Sequence, residues 1–160
     1  MKIRLDFLKN HPLFGGITPS KISKILHLTE TKMYRKNRLI LKENQVNDKI
    51  FFILKGKVAI RKIIKFKNGH KICKTIGILN EGDNFGEMEV IDVQRCAASI
   101  KTLEQTEVLI ISNLSLYKIM NINLETYTIL ILNLAREISR RLRFMDKLIT
   151  NLYAQLMTKQ

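Results

Sequence analysis

The residues best placed to do chemistry lie in one stretch, Glu81-Gly82-Asp83-Asn84-Phe85-Gly86-Glu87-Met88-Glu89-Val90, followed by Gln94-Arg95-Cys96-Ala97-Ala98-Ser99. Two glycines near a short helical turn let the backbone approach a ligand closely, and free N–H groups at a helix start attract an anion. An arginine offers a planar fork for phosphate oxygens, and a glutamate accepts hydrogen bonds from sugar hydroxyls. Phosphate and sugar together describe a nucleotide. Other chemistries find no such pattern. His11, His27 and His70 are scattered without metal or triad spacing and read as surface or turn residues, and no Ser or Cys sits in a nucleophile motif, so no catalysis is expected. Cys73 and Cys96 have neither CxxC spacing nor a nearby His pair; both read as small, partly buried residues, and no metal is expected.

The elements that must position this stretch follow from size and patterning. The chain has 160 residues, 46% of them apolar and 26% charged, with 7 Gly, 2 Pro and no Trp, the profile of one ordinary domain that folds without disulfides or metal. No apolar run approaches the roughly 18 residues of a membrane span, and the first nine residues alternate charge with apolar character instead of building a signal peptide, so a cytoplasmic location is expected. Lys and Arg total 28 against 14 Asp and Glu, a net +14 that raises nucleic acid or an anionic surface as partners. The lysines are spread over the whole chain, however, and accompany abundant Ile and Asn, so compositional bias explains the charge and nucleic acid is not an expected partner.

Along the chain, residues 3–9 predict one or two helical turns, broken at Asn10-His11-Pro12, and Thr18-Pro19-Ser20 opens a second helix with Ile22, Ile25, Leu26 and Leu28 on one face. From 32 to 112 short β-branched and aromatic runs recur about every ten residues, an all-β signature. Residues 50–54 read as a central strand covered on both faces. Segments 57–66 and 71–79 flank Asn68-Gly69 as a hairpin whose two central residues want positive φ, and 103–112 supplies a further strand after a break near Gln105. Residues 121–156 hold no Gly or Pro and predict one long helix, with Tyr127, Ile131, Leu134, Ile138, Arg141, Met145, Leu148 and Leu152 as a heptad seam. Leu132, Ala135, Leu142, Ile149 and Leu156 form a second apolar line, so one stripe is left to pair with a second copy, predicting a homodimer through residues 121–156. Arg136, Arg140, Arg141, Arg143 and Lys147 read as a solvated face of that helix.

The chain resembles the cyclic nucleotide-binding domains of bacterial transcription activators, kinase regulatory subunits and gated channels. His11-Pro12-Leu13-Phe14 is similar to the family's opening Pro-Leu-Phe, Phe51-Phe52-Ile53-Leu54-Lys55-Gly56-Lys57-Val58 to its central strand and glycine, and Gly82-Asp83-Asn84-Phe85-Gly86-Glu87 to the start of its phosphate-binding cassette. The resemblance implies an α+β fold, an antiparallel, jelly-roll-like β-roll of about eight strands with short N-terminal helices and a long C-terminal helix like that of the catabolite-activator branch. It divides one domain, 1–160, into N-terminal helices at 1–30, the roll at 31–113 with its cassette at 82–99, and C-terminal helices at 114–160. It further implies a bacterial regulatory module that binds cAMP or cGMP, through Phe85, Gly86, Glu87, Met88, Arg95, Cys96 and Ala97, with Gly86 at the phosphate and Glu87 on the ribose 2′-hydroxyl.

Five departures from the family pattern stand out. Read locally, Arg95-Cys96-Ala97 fits the expected arginine motif; read by strand register, with Ala98, Ile100 and Thr102 inward, Cys96 takes the arginine's place and Arg95 faces away. A one-residue bulge between Arg95 and Ala98 would reconcile the two. Glu89 and Asp92 stand within the cassette and read as solvated charges on a short helix. Asn37 and Asn44 replace turn glycines, Met145 and Asp146 replace base-contacting hydroxyl residues, and no helix-turn-helix segment follows the long helix before Gln160. The competing reading is a fold that has lost its ligand and serves as a dimerisation or protein-interaction domain.

Overall fold

The structure, a computed structural model, describes residues 2–158, with side chains from Leu5 onward. Helix α1, Lys2–Asn10, runs into a 3-10 turn at Pro12–Phe14, and α2, Pro19–Leu26, begins with the expected proline in its first turn. Eight strands follow: β1 (Glu30–Tyr34), β2 (Leu39–Leu41), β3 (Lys49–Lys55), β4 (Val58–Lys65), β5 (Lys71–Leu79), β6 (Asn84–Phe85), β7 (Ser99–Thr102) and β8 (Thr106–Ser112), with helix α3, Glu87–Asp92, between β6 and β7. They form two four-stranded antiparallel sheets, ordered β1-β8-β3-β6 and β2-β7-β4-β5. Helices α4, Asn113–Ile122, and α5, Leu124–Met157, complete the fold, which is the expected α+β β-roll with flanking helices.

Alternation along β3 explains the layering. Ile50 and Phe52 join Leu109 and Ile111 of β8 in a core beneath the helices, together with Phe14, Ile22, Leu130 and Leu134. Phe51 and Ile53 point the other way, into a second core between the sheets with Val58, Phe85, Cys96 and Ile100. The β3 strand is therefore covered on both faces, as its continuous apolar run predicts. In β7, Ile100 and Thr102 are buried and Ser99 and Lys101 are partly exposed, the expected register.

Two expectations are corrected. The β4–β5 hairpin has positive φ at Gly69 (82°) but not at Asn68: Gly69 N–H donates to Phe66 O and Phe66 N–H to His70 O, a three-residue loop with only its last residue left-handed. The long helix starts at Leu124 and is separated from α4 by Asn123, whose extended backbone (φ −158°) stops the first helix. The Asn123 Oδ1 accepts from Thr126 N–H at 2.8 Å and from its hydroxyl at 2.6 Å, so an asparagine in a chain free of Gly and Pro still starts a new helix by capping it. Asn37 and Asn44 do adopt the left-handed backbone, at φ 65° and 66°. Among the described residues no helix is long and apolar enough to cross a membrane.

Candidate functional site

The cassette begins where Asp83 O accepts from Ile53 N–H and Gly82 N–H donates to Ile53 O, tying the turn to the end of β3. Phe85 stacks on Phe51 with centroids 4.9 Å apart, which seats β6 against the second core. Gly86 then turns the chain into α3 with φ 81°. A Cβ there would lie 2.6 Å from Lys49 O and 2.9 Å from Asn47 Nδ2, so backbone hand and space both require glycine. Asn47 fixes the turn by donating to Gly86 O (3.1 Å) and Lys49 O (2.7 Å).

Glu87, the first residue of α3, is 3% exposed. Its Oε1 accepts from Arg141 Nη1 on α5 at 2.7 Å, and Arg141 Nη2 donates to Asn84 O at 2.7 Å and Asn84 Oδ1 at 3.2 Å. Glu137, one turn earlier on α5, places Oε1 3.4 Å from Arg141 Nε. Burial raises the Glu87 carboxyl above the ordinary carboxylate value, and the Arg141 guanidinium opposes that rise. Glu87 Oε2 and Asn84 Nδ2 are buried without a hydrogen-bond partner. The two atoms, one donor and one acceptor, belong to side chains of the same turn, and the Asn84 amide acts with Arg141 to oppose the rise of the Glu87 carboxyl.

Arg141 is the residue of this site that patterning hides. The heptad seam and the basic helix face both claim its position, and instead it leaves the seam to clamp the cassette. Its neighbours behave differently: Arg136 donates to Asn133 Oδ1 at 2.8 Å, and Arg140 pairs with Glu137 at 2.7 Å. A single arginine at an otherwise apolar seam position was the available signal.

The far end of the cassette is arranged otherwise. The chain bends at Ala97 and Ala98 before β7 begins, and on this bend Cys96 is 2% exposed within the second core. Arg95 is exposed, its Nη1 donating to Asn44 O at 3.0 Å. Cys96 N–H donates to Gln45 O and Asn44 N–H to Cys96 O, which binds this segment to the turn after β2. Burial, with the nearby Glu89 carboxylate, raises the Cys96 thiol above its usual range. Met88 is half-exposed, and Ala97 is exposed with its N–H donating to Glu89 Oε1 at 3.3 Å. Glu89 is therefore not the solvated charge expected: it is 9% exposed, turned inward to hold the bend, whereas Asp92 stays exposed and caps Gln94 N–H.

His11 is likewise not a surface residue. It is 7% exposed, its Nδ1 accepts from Leu13 N–H at 3.1 Å and its Nε2 lies 2.7 Å from Gly82 O, so the ring joins the N-terminal helices to the start of the cassette. Rings of Phe7, Phe14 and Phe52 surround it, and burial lowers its pKa. His27 and His70 stand where expected, at the end of α2 and in the hairpin loop. Of the cysteines, Cys73 is exposed on the edge strand β5 and Cys96 buried, so neither is the partly buried residue expected. Among the described residues no three His, Cys, Asp or Glu side chains gather as a metal site.

The site is thus a β-roll whose glycine turn presents a buried glutamate, closed by an arginine from the long C-terminal helix. The model of the cyclic nucleotide-binding domain matches residues 31–123, and the chain belongs to that family. It is 32% identical over 117 residues to a cGMP-dependent protein kinase, egl-4, of Caenorhabditis briggsae, covering 72% of this chain and 15% of the kinase. It is 26% identical over 102 residues to the cyclic AMP receptor protein of Thermus thermophilus, covering 64% of this chain and 45% of that protein. Among solved structures, a cyclic nucleotide-binding domain from Methylobacillus flagellatus superposes with a TM-score of 0.81 at 20% identity, covering 94% of this chain and 83% of that one. The chain thus spans less than half the length of these two curated relatives.

Proposed function

We propose that residues 1–160 act as one ligand-responsive regulatory module, without catalysis of its own, in which the cassette at 82–99 takes a cyclic nucleotide and α5 transmits its occupancy. The observation that carries this reading is the Glu87–Arg141 clamp, which puts the ribose-reading carboxylate and the long helix into one contact at 2.7 Å. A ribose hydroxyl donating to Glu87 competes with or completes that clamp, so the ligand acts on the two states of α5 unequally, and only such a differential contact shifts a conformational equilibrium. The cassette residues favour neither cAMP nor cGMP, and both are candidate ligands.

The output runs through the distal part of α5. Among the described residues none after Leu134 is buried, and Leu142, Met145, Leu148, Leu152 and Leu156 are 40–65% exposed over a helix about 51 Å long. A second copy aligning its own seam is the occupant that these residues suit, giving a homodimer; Leu148→Glu with Leu152→Glu is expected to yield monomer in light scattering, while unchanged mass would remove the dimer from this reading. Ligand binding is tested by thermal unfolding with cAMP and with cGMP. A ligand at about 100 times its Kd adds roughly 2.7 kcal/mol. The expected result is a shift with at least one of them that Glu87→Ala abolishes; no shift with either at millimolar concentration favours the second reading, a ligand-free dimerisation domain, for which the inward, non-basic Cys96 is the specific support.

A further inference from the structure

A cyclic phosphate carries a negative charge, and the cassette already buries two carboxylates, Glu87 and Glu89. Binding such an anion there calls for a cation beside the phosphate end of the cassette. Arg141 is committed to Glu87, Asn84 and Glu137, and Arg95 lies on the outside against Asn44 O. Strand register supplies a different candidate. The β4 and β7 strands pair Val58 with Thr102 and Ile60 with Ile100, and Val58, Thr102 and Ile100 are all buried while Ile60 packs on the second core. Two residues further along β4, alternation places Lys62 in the same row as Val58 and Ile60, with its side chain 43% exposed. Its Nζ donates to the carbonyl oxygen of Ala97, the residue directly after Cys96, and stands 3.4 Å from Glu43 Oε1. Glu43 is itself anchored, its Oε2 accepting from Ile63 N–H at 3.0 Å. An ammonium with three donors is thus held at the segment where Cys96 leaves the phosphate without its arginine.

We propose that Lys62, on β4, supplies the cationic contact to the ligand's phosphate in place of Arg95. The inference rests on the reading of the cassette as a cyclic nucleotide site and assigns its phosphate contact. Nothing in the 82–99 segment itself encodes it, because the cation comes from a neighbouring strand. A lysine acts here as a point charge, which needs less exact placement than an arginine fork. Its partners within the chain are a carbonyl and a carboxylate, and a phosphate entering beside Ala97 offers the same ammonium a further charged acceptor.

The test is calorimetric titration of cAMP, cGMP, adenosine and guanosine into the whole chain and into Lys62→Met, Lys62→Arg and Arg95→Met, with thermal midpoints confirming that each variant is folded. The expected result is that Lys62→Met weakens the cyclic nucleotide at least about tenfold, the scale of a lost charge-assisted contact, and leaves nucleoside binding unchanged. Lys62→Arg keeps the affinity, and Arg95→Met stays within about twofold. Weakening by Arg95→Met and not by Lys62→Met overturns the inference, as does an equal loss of nucleoside and nucleotide in Lys62→Met, which would mark Lys62 as merely structural. Wild-type binding of a nucleoside without any cyclic nucleotide overturns the phosphate assignment and leaves the role of Glu87 standing. No binding of any of the four overturns the reading of the cassette and the inference with it.

Discussion

The two ends of the cassette, Gly86-Glu87 and Arg95-Cys96, eight to ten residues apart in sequence, are built on different principles. At Gly86 and Glu87 the backbone hand, the space and the buried carboxylate are all dictated locally, by a glycine with φ 81° and a carboxylate gripped at 2.7 Å. At Arg95 and Cys96 the outcome is decided by packing: the small thiol enters the apolar core and the guanidinium goes to solvent, since burying a charge without a partner costs several kcal/mol. A motif can be read where the backbone demands particular residues. Where the demand comes from the register of a distant strand, adjacent letters mislead.

Substitutions at the two ends sharpen this contrast. Gly86→Val should cost the most, at least about 3 kcal/mol in chemical unfolding, because it adds left-handed strain to a clash with Lys49 O; a loss below 1 kcal/mol would mean that the turn is not fixed. Arg141→Leu strips the cation from a buried carboxylate and is expected to lower stability by about 2–3 kcal/mol. Adding Glu87→Gln to Arg141→Leu should recover part of that loss, and strict additivity in the double-mutant cycle would deny the clamp. At the other end, Cys96→Ser puts a hydroxyl into an apolar cluster and should cost about 1–2 kcal/mol, whereas Arg95→Ala next to it should change stability by less than about 0.5 kcal/mol. Equal costs at 95 and 96 would erase the distinction between inward and outward residues.

The smallest effect concerns pH. Burial holds His11 neutral in the fold, with its pKa below the ordinary 6.5, so the unfolded chain binds more protons than the folded one once pH drops below about 6.5. Its contribution is therefore full above that value and declines as pH falls toward the lowered folded pKa. Glu87 has the opposite sign: with its carboxyl raised, the folded state binds the proton more tightly, and acidification through that raised value stabilises. Urea midpoints measured from pH 7.5 to 5 should fall less steeply in His11→Gln than in the wild type, and parallel slopes would show that His11 is not the titrating group.

Much of this was legible beforehand. The two-faced burial of β3 follows from its unbroken apolar run, and Asn37 and Asn44 announced their left-handed turns. Three features escaped. His11 looked like a turn residue because its partner, Gly82 O, lies 71 positions away. Glu89 looked solvated because the N–H it accepts from, on Ala97, exists only once the chain bends. Arg141 was hidden in two patterns at once, and 54 residues separate it from Glu87. The His11 and Arg141 contacts reach across the chain and the Glu89 contact reaches across a bend, and such polar contacts leave no periodic trace in a sequence, unlike burial, which repeats along every strand and helix.

In the proposed mechanism, α5 reads cassette occupancy through the Glu87–Arg141 contact. Amide hydrogen exchange along residues 135–157, with and without saturating cyclic nucleotide, tests it most directly. Ligand is expected to change exchange in this part of α5 in the wild type, and Arg141→Leu is expected to confine the change to residues 82–99. Protection restricted to the cassette in the wild type, with α5 exchange unaltered at saturation, would contradict it.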